Sequence, residues 1–204
     1  MIFQNVYMKA DPISFILEKH KKLNKKIFFI SGNEITLMEK IKETILENIH
    51  KHMLEKIKNV SQLKNDLSLF GNKKVYLITD LSGVNNSLLD LLSIKEEIFI
   101  FFCENSSKVN SVKKLFINRE DSFVFDCYEI NKAAKVKILN KFLNNNNIRL
   151  VENIYWKLIE KLDDRYMLVE KELEKIALIK NDNIDQKLII DLVPNNSSKI
   201  ENVF

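Results

Sequence analysis

Residues 27–49, IFFISGNEITLMEKIKETILENI, decide the fold of this 204-residue chain. The run Ile27–Ser31 is apolar and rich in β-type residues, which predicts a buried strand. Gly32 and Asn33 interrupt this run, and apolar residues then recur at helical spacing, which predicts an amphipathic helix that continues to about Lys58. A strand, a glycine turn and a helix in this order begin an α/β unit of the nucleotide-binding type.

Strand and helix patterns continue to alternate up to Tyr128. Apolar or alternating runs predict strands at 74–79, 97–103 and 122–128, and helical patterns predict helices at 13–26, 85–92 and 111–116. The run before Cys103 is apolar throughout, as a strand buried on both faces requires. The sequence therefore predicts an α/β fold, in which a mostly parallel sheet has helices on both sides.

The pattern after Tyr128 is helical only. One apolar stripe is ended by a loop at Asn144–Asn147, and two more stripes follow at 148–162 and 166–179, with a short fourth helix at 185–192. The first stripe consists of Ala133, Val136, Leu139 and Leu143, and Asp163 or Asp164 is expected to cap the third helix. We place a domain boundary near residue 130, which gives an α/β domain at 1–129, a small all-helical domain at 130–192, and a linker with the start of another element at 193–204.

The composition fits a cytoplasmic globular protein. Hydrophobic residues make up 46% of the chain, charged residues 29%, and the formal net charge is only +4. No apolar run is long enough to span a membrane, and the N-terminus does not have the pattern of a signal peptide. Cys103 and Cys127 are far apart in sequence, so we expect buried, reduced thiols.

The glycine turn does not have the residues of a phosphate-binding loop. Such a loop reads GxxxxGK[ST], where the second glycine lets the backbone curl round the phosphates and the lysine reaches them. The chain reads GNEITLME at residues 32–39, so both are missing, and Glu34 and Glu39 would repel phosphate. Asp80 follows a predicted strand, and without such a loop we interpret it as a turn or cap residue. We expect no bound cofactor at this turn.

No catalytic or metal-binding group is predicted. His50 and His52 are two residues apart on the predicted helix and would point to different faces, and His20 is the remaining histidine. Neither cysteine has a histidine nearby. The lysines after residue 130 either line a phosphate backbone or form a solvated helix face, and the sequence leaves both open. These lysines are Lys132, Lys135, Lys137 and Lys141.

Residues 66–71, DLSLFG, place two large apolar side chains on a predicted turn. Polar residues precede them, and the predicted strand at Lys74 follows. Leu69 and Phe70 either fill a pocket on another protein or fold back into the core beside this strand. The local sequence alone does not decide between these two hypotheses.

Several stretches occur in an order and spacing that indicate a known family. They are the strand–Gly32-Asn33-Glu34–helix unit, LFGNKKV at 69–75, the Phe-rich strand before Cys103, DCY at 126–128, and DDR at 163–165 leading into EKELEKIAL at 170–178. Together they resemble the delta subunit of the bacterial DNA polymerase III clamp loader. The resemblance covers nearly the whole chain, about residues 1–204.

The resemblance implies an AAA+-like first domain, a small helical lid domain and a helical collar domain, with no ATP bound or hydrolysed. Delta-like proteins bind the ring-shaped sliding clamp and open it, so that the loader can place it on primed DNA. The resemblance thus implies a non-catalytic component of a DNA polymerase holoenzyme. The expected partners are the clamp, other loader subunits through the collar and, weakly or indirectly, primed DNA. Only the first residues of a collar are present, at 200–204, so we expect poor assembly with other loader subunits.

The resemblance also assigns the clamp-binding residues. Leu69 and Phe70 would fill a pocket on the clamp, and Leu67 and Ser68 belong to the same motif, because 66–70 is similar to the clamp-binding pattern Gln-Leu-[Ser/Asp]-Leu-Phe. Asp66 departs from the leading Gln of that pattern. The resemblance favours exposed Leu69 and Phe70. Two alternative functions remain, a divergent AAA+ ATPase that binds nucleotide at Gly32 and a DNA-binding module that uses the lysine-rich helices.

Overall fold

The computed structural model describes residues 9–18, 25–49, 52–63, 74–178 and 190–193. The chain divides into two compact units, and the division falls between Tyr128 and Glu129. The first unit contains all the strands that are described, and the described part of the second unit is helical.

The described strands of the first unit form one six-stranded sheet in which every pair is parallel. Its strands are β1 (Lys9–Ala10), β2 (Ile27–Gly32), β3 (Met53–Ile57), β4 (Lys74–Ile78), β5 (Ile98–Glu104) and β6 (Ser122–Cys127). Their order across the sheet is β1-β6-β2-β5-β4-β3. The predictions of an α/β fold and of β2, β4, β5 and β6 are confirmed, whereas β1 and β3 were not predicted.

Four α-helices within the described ranges flank the sheet, and side-chain caps fix where most of them begin. They are α1 (Pro12–Leu17), α2 (Ile35–Asn48), α3 (Asn86–Ser93) and α4 (Ser107–Ile117), and a short 3-10 helix spans Val60–Gln62. Asp11, Asn85 and Ser106 each accept a hydrogen bond from a backbone N–H in the first turn of α1, α3 and α4. These residues satisfy donors that a helix N-terminus leaves unpaired.

The helix predicted from Ile35 to Lys58 is too long. The helix α2 ends at Asn48, and Met53–Ile57 pairs in parallel with β4 as the edge strand β3. The sequence MLEKI favours a helix by composition, so pairing with β4 overrides the local preference. The helix predicted at 13–26 is also wrong at its end, because Lys25 and Lys26 lie outside any helix.

The two faces of the sheet are covered by different helices. Side chains of α3 and α4 pack with Phe29, Phe101 and Val124 in one buried cluster. On the opposite face, Phe15 of α1 lies 4.7 Å from Phe125 between ring centroids, and α2 contacts β2, β5 and β6. Alternate residues of β2 therefore point to two apolar layers, and for this reason the strand shows no polar alternation.

The second unit contains three described helices, α5 (Lys132–Asn146), α6 (Glu152–Lys161) and α7 (Tyr166–Leu178). The helix α5 includes most of the loop predicted at Asn144–Asn147, and it ends with Asn147 in the left-handed conformation, at φ 53°. A terminal asparagine in this conformation is a common way to end a helix. The predicted stripe is partly wrong, because Ala133 is exposed and Lys135 and Ile138 are buried.

None of the helices in the described ranges is long and apolar enough to cross a membrane.

Candidate functional site

The predicted clamp-binding residues, Leu67, Ser68, Leu69 and Phe70, lie outside the residues that the structure describes. The described chain on either side of them is well fixed. Leu63 packs against the buried cluster under α3 and α4. Lys74, the first residue of β4, forms an ion pair with Glu55 of β3, with 3.1 Å between Nζ and Oε2. The segment therefore joins two anchored points of the first unit.

The glycine turn after β2 is closed by the end of β6. A Cβ atom on Gly32 would lie 1.7 Å from the carbonyl oxygen of Cys127, so only glycine fits. The same oxygen accepts hydrogen bonds from the backbone N–H groups of Asn33, at 3.1 Å, and Glu34, at 3.2 Å. A phosphate-binding loop aims such N–H groups at its ligand. In this chain they are already bonded within the protein.

Glu34 occupies the N-terminus of α2 with its own carboxylate. Its side chain is buried, with 5% exposed, and accepts hydrogen bonds from the backbone N–H groups of Thr36, at 3.3 Å, and Leu37, at 2.5 Å. The Thr36 hydroxyl also donates to it, at 2.7 Å. A carboxylate here satisfies unpaired N–H groups and interacts favourably with the helix dipole. The position where a nucleotide phosphate would bind a helix N-terminus is therefore filled by an internal anion.

The sequence analysis identified Glu34 only as a charge that repels phosphate. The sequence carried only a general signal for this role, because Glu34 directly precedes the predicted helix and acidic residues are favoured at a helix N-terminus. The contact between Gly32 and Cys127 had no signal in the sequence, since it depends on the pairing of β2 with β6.

Asp80 follows β4 and forms a local turn. Its Oδ1 accepts hydrogen bonds from the Ser82 backbone N–H, at 2.9 Å, and the Ser82 hydroxyl, at 2.8 Å, and lies 3.7 Å from Lys108 Nζ. The Ser82 hydrogen bonds, with Lys108 in a smaller role, lower the pKa of Asp80. The prediction that Asp80 is a turn residue is confirmed.

A cavity of about 560 Å³ lies at the carboxyl ends of β4 and β5, beside the start of α4. Ligands of open α/β sheets often bind at such an edge. Its lining includes two carboxylates, Asp80 and Glu104, and one cation, Lys108, together with apolar side chains such as Phe102. This charge balance does not favour a nucleotide phosphate.

The two cysteines are buried at the ends of β5 and β6, as predicted. Burial raises the pKa of both Cys103 and Cys127 to about 12, so neither thiol is ionised near neutral pH. Of the histidines only His52 is described, and it precedes β3 outside any helix. Within the described ranges no cluster of three or more His, Cys, Asp or Glu residues is placed to hold a metal ion.

The lysines of α5 do not form one uniform surface. Lys132, Lys137 and Lys141 are exposed, and Lys132 Nζ lies 5.0 Å from the ring centroid of Trp156. Lys135 is buried instead, and its ammonium donates to the carbonyl of Leu162 and pairs with Asp164, both at 2.5 Å. Lys135 therefore has a structural role in the second unit and is not available to a phosphate backbone.

No protein-family model matches the sequence, and the comparison with curated proteins found no match. Among solved structures, the chain is similar to the DNA clamp loader delta protein of Bacillus subtilis, with a TM-score of 0.61 and 12% sequence identity. The match covers 91% of this chain and 63% of that one. The chain thus spans less than two thirds of the Bacillus subtilis protein.

Two further structural matches are weaker, with TM-scores below 0.5. Domain III of the Thermotoga maritima replication initiation protein DnaA matches with a TM-score of 0.43 and 16% identity, over 89% of both chains. The Thermotoga maritima RuvB Holliday junction branch migration motor matches with a TM-score of 0.42 and 11% identity, over 88% of this chain and 65% of that one. The match to the delta protein shows that the chain shares the α/β fold of that protein.

Proposed function

We propose that this chain binds a ring-shaped sliding clamp and helps to open it during DNA replication, as a delta-like clamp-loader component without ATP hydrolysis of its own. Residues 1–129 would be the AAA+-like domain that carries the clamp-binding turn, and residues 130–192 a helical lid. Its partners would be the clamp, other loader subunits and, weakly or indirectly, primed DNA in the cytoplasm. The protein would be a non-catalytic component of a DNA polymerase holoenzyme.

One observation carries the proposal, namely the sequence LSLF at residues 67–70 in the connection between β3 and β4 of an AAA+-like fold. An apolar pair of this kind suits a pocket on another protein, because a few buried aromatic and aliphatic anchors supply most of the binding energy of an interface. Burial of a leucine and a phenylalanine contributes roughly 1.5–3 kcal/mol each.

The glycine turn supports the absence of ATP chemistry in this proposal. The N–H groups of Asn33 and Glu34 are bonded to Cys127, and the Glu34 carboxylate caps α2. A nucleotide phosphate would have to displace this carboxylate and would find no lysine of a phosphate-binding loop beside it. The turn therefore suits a protein in which this fold carries a binding site for another protein and does not bind ATP.

The test is the binding of purified sliding clamp to this chain and to the variant Leu69→Ala/Phe70→Ala, with thermal melting of both in parallel. We expect the double change to weaken clamp binding by about two to four orders of magnitude without lowering the melting temperature. Leu178→Ala is a matched control, since Leu178 is 86% exposed and lies in the other unit.

Two outcomes would contradict the proposal. If the folded parent does not bind the clamp, the proposed function is wrong. If the double variant melts several degrees lower, Leu69 and Phe70 belong to the core, and the clamp contact is not at this pair.

The DNA-binding alternative has one specific observation in its favour, the exposed Lys132, Lys137 and Lys141 on α5. It predicts steeply salt-dependent DNA binding by the isolated chain, because each phosphate contact releases counterions. The burial of Lys135 reduces the available cations and favours the clamp-binding proposal over this alternative.

A further inference from the structure

The segment at residues 130–151 contains no acidic residue, although the chain as a whole has 32 basic and 28 acidic ones. This segment includes all of α5, and its charged residues are Lys132, Lys135, Lys137, Lys141 and Arg149. Alternating signs of charge are typical of a helix face that meets only solvent. The helix α7 has this alternation, because Lys171 and Lys175 lie next to Glu170 and Glu174. The helix α5 carries positive charge alone.

The exposed side of α5 is a stripe of lysine and asparagine side chains. Its members are Lys137, Asn140, Lys141 and Asn144, and all four are exposed. Their spacings of three, four and seven residues place them together on one face of the helix. The buried residues of α5, which include Leu139 and Leu143, lie on the opposite side. Lys132 is outside this stripe, which we call the α5 stripe, because its ammonium lies over an aromatic ring of α6.

The side chains of the α5 stripe suit the phosphate backbone of DNA. Lysine ammonium and asparagine amide groups both donate hydrogen bonds to phosphate oxygens, and α5 has no carboxylate that would repel them. The stripe from Lys137 to Asn144 is roughly 10 Å long, which corresponds to about three successive phosphates of one strand. Asparagine also bonds to base edges, so the alternation of amides with lysines favours DNA over an acidic protein surface.

We infer that the α5 stripe is a direct contact for the phosphate backbone of duplex DNA. The inference goes beyond the proposed function, in which the first unit binds the clamp and DNA is contacted weakly or indirectly. The DNA contact uses the second unit and does not depend on the clamp. Because Lys137 and Lys141 supply its charge, binding is weak and sequence-independent, and it falls as the salt concentration rises.

The experiment titrates the full chain into a labelled DNA duplex and measures fluorescence anisotropy at several salt concentrations, without clamp. For Lys137→Gln/Lys141→Gln we expect binding to weaken about tenfold or more and the slope of log affinity against log salt to fall by about two. Lys171→Gln/Lys175→Gln is the matched control, because it removes the same charge from an exposed pair at the same spacing on α7. The control should bind DNA as the parent does.

Three outcomes would overturn the inference, with thermal melting used to confirm that every variant is folded. They are no salt-dependent DNA binding by the parent, an equal loss of binding in both double variants, and competition by polyglutamate as strong as by unlabelled DNA of equal charge. The last outcome would indicate a surface for an acidic protein.

The clamp-binding proposal is tested separately in the same assay. Leu69→Ala/Phe70→Ala should bind DNA as the parent does, because the α5 stripe is unchanged. If the parent does not bind the clamp but loses DNA binding through Lys137→Gln/Lys141→Gln, the proposed function fails and this inference stands.

Discussion

Gly32 is the residue on which the end of β2 depends. Its Cα faces the Cys127 carbonyl so closely that a Cβ would lie 1.7 Å from the oxygen. Gly32→Ala should therefore lower the free energy of unfolding by about 3 kcal/mol or more, because backbone atoms of both β2 and β6 would have to move. Chemical denaturation of the variant measures this loss.

Gly83 is a suitable control for Gly32→Ala. Its φ is +82°, and the nearest neighbour of an added Cβ, a methyl of Val60, would be 3.6 Å away. Gly83→Ala has room for its methyl group and should cost only the left-handed backbone penalty of about 1–2 kcal/mol. Equal losses in the two variants would contradict the close approach of β2 and β6.

Glu34 should contribute to stability as the cap of α2. Glu34→Ala removes the acceptor for the N–H groups of Thr36 and Leu37, and we expect a loss of about 1–2 kcal/mol in the free energy of unfolding. Glu39→Ala on the same helix removes a surface partner of Lys42 and should change stability by less than about 0.5 kcal/mol. A neutral effect of Glu34→Ala, seen by denaturation, would show that the carboxylate does not cap the helix.

Single residues were predictable from sequence only where neighbours along the chain decide their role. Asp80 was predicted as a turn residue, and its partner Ser82 is two residues away. Lys135 was grouped with the exposed lysines, although it lies four residues before Leu139, on the buried face of α5. Its partners, Leu162 and Asp164, are almost thirty residues away in sequence, so its burial follows from tertiary packing.

At the scale of elements, strands that are buried on both faces were predictable and edge strands were not. The strands β2 and β5 are runs of Ile and Phe that only a sheet interior explains. The strand β1 has only two residues. The sequence of β3 favours a helix, and the segment is a strand because it pairs with β4. These edge strands form because of the strands with which they pair, and the local sequence does not contain the partner.

Glu172 gives α7 a pH-dependent contribution to stability. Its side chain is buried and accepts a hydrogen bond from the Asp163 backbone, while its Oε2 has no hydrogen-bond partner in the described part of the chain. Burial raises the pKa of Glu172 above 4.5, and the hydrogen bond from the Asp163 backbone offsets part of this rise. The charge of Asp163 raises the pKa further, whereas Lys175 and Lys135 lower it. Ionisation of Glu172 is therefore less favourable in the folded state than in the unfolded state.

The sign of the effect follows from the raised pKa. The contribution of protonated Glu172 to stability is complete below about pH 4.5 and is lost as the pH rises through the folded-state pKa. Glu172→Gln removes this titration, so the melting temperature of the variant relative to the parent should rise between pH 4.5 and 7.5. Glu174→Gln, an exposed change on the same helix, should show no such trend. A difference between Glu172→Gln and the parent that does not vary with pH would contradict the assignment.

At the scale of the whole molecule, the α/β fold is present without a free site for nucleotide at the glycine turn. Mg²⁺-ATP should therefore leave the melting temperature of the chain unchanged, because a ligand stabilises a protein only when it binds the native state. Differential scanning fluorimetry over a range of ATP concentrations measures this. A saturable rise in melting temperature would favour the divergent ATPase.

The parallel sheet, flanked by helices, followed from the alternation of strands and helices in the sequence, and the structural similarity agrees with it. The strand order did not follow, because β2 lies between β6 and β5, which come much later in the chain. The candidate site was predictable only as a motif. The clamp-binding role of Leu67–Phe70 is a matter of affinity for another protein and stays a prediction until it is measured.

The most direct test of the clamp-binding claim is a titration of purified sliding clamp against this chain in nucleotide-free buffer, repeated with Leu69→Ala/Phe70→Ala. We predict saturable binding by the parent that is weakened by about two to four orders of magnitude in an equally stable variant. No binding by the folded parent, or equal binding by both proteins, would contradict the proposal.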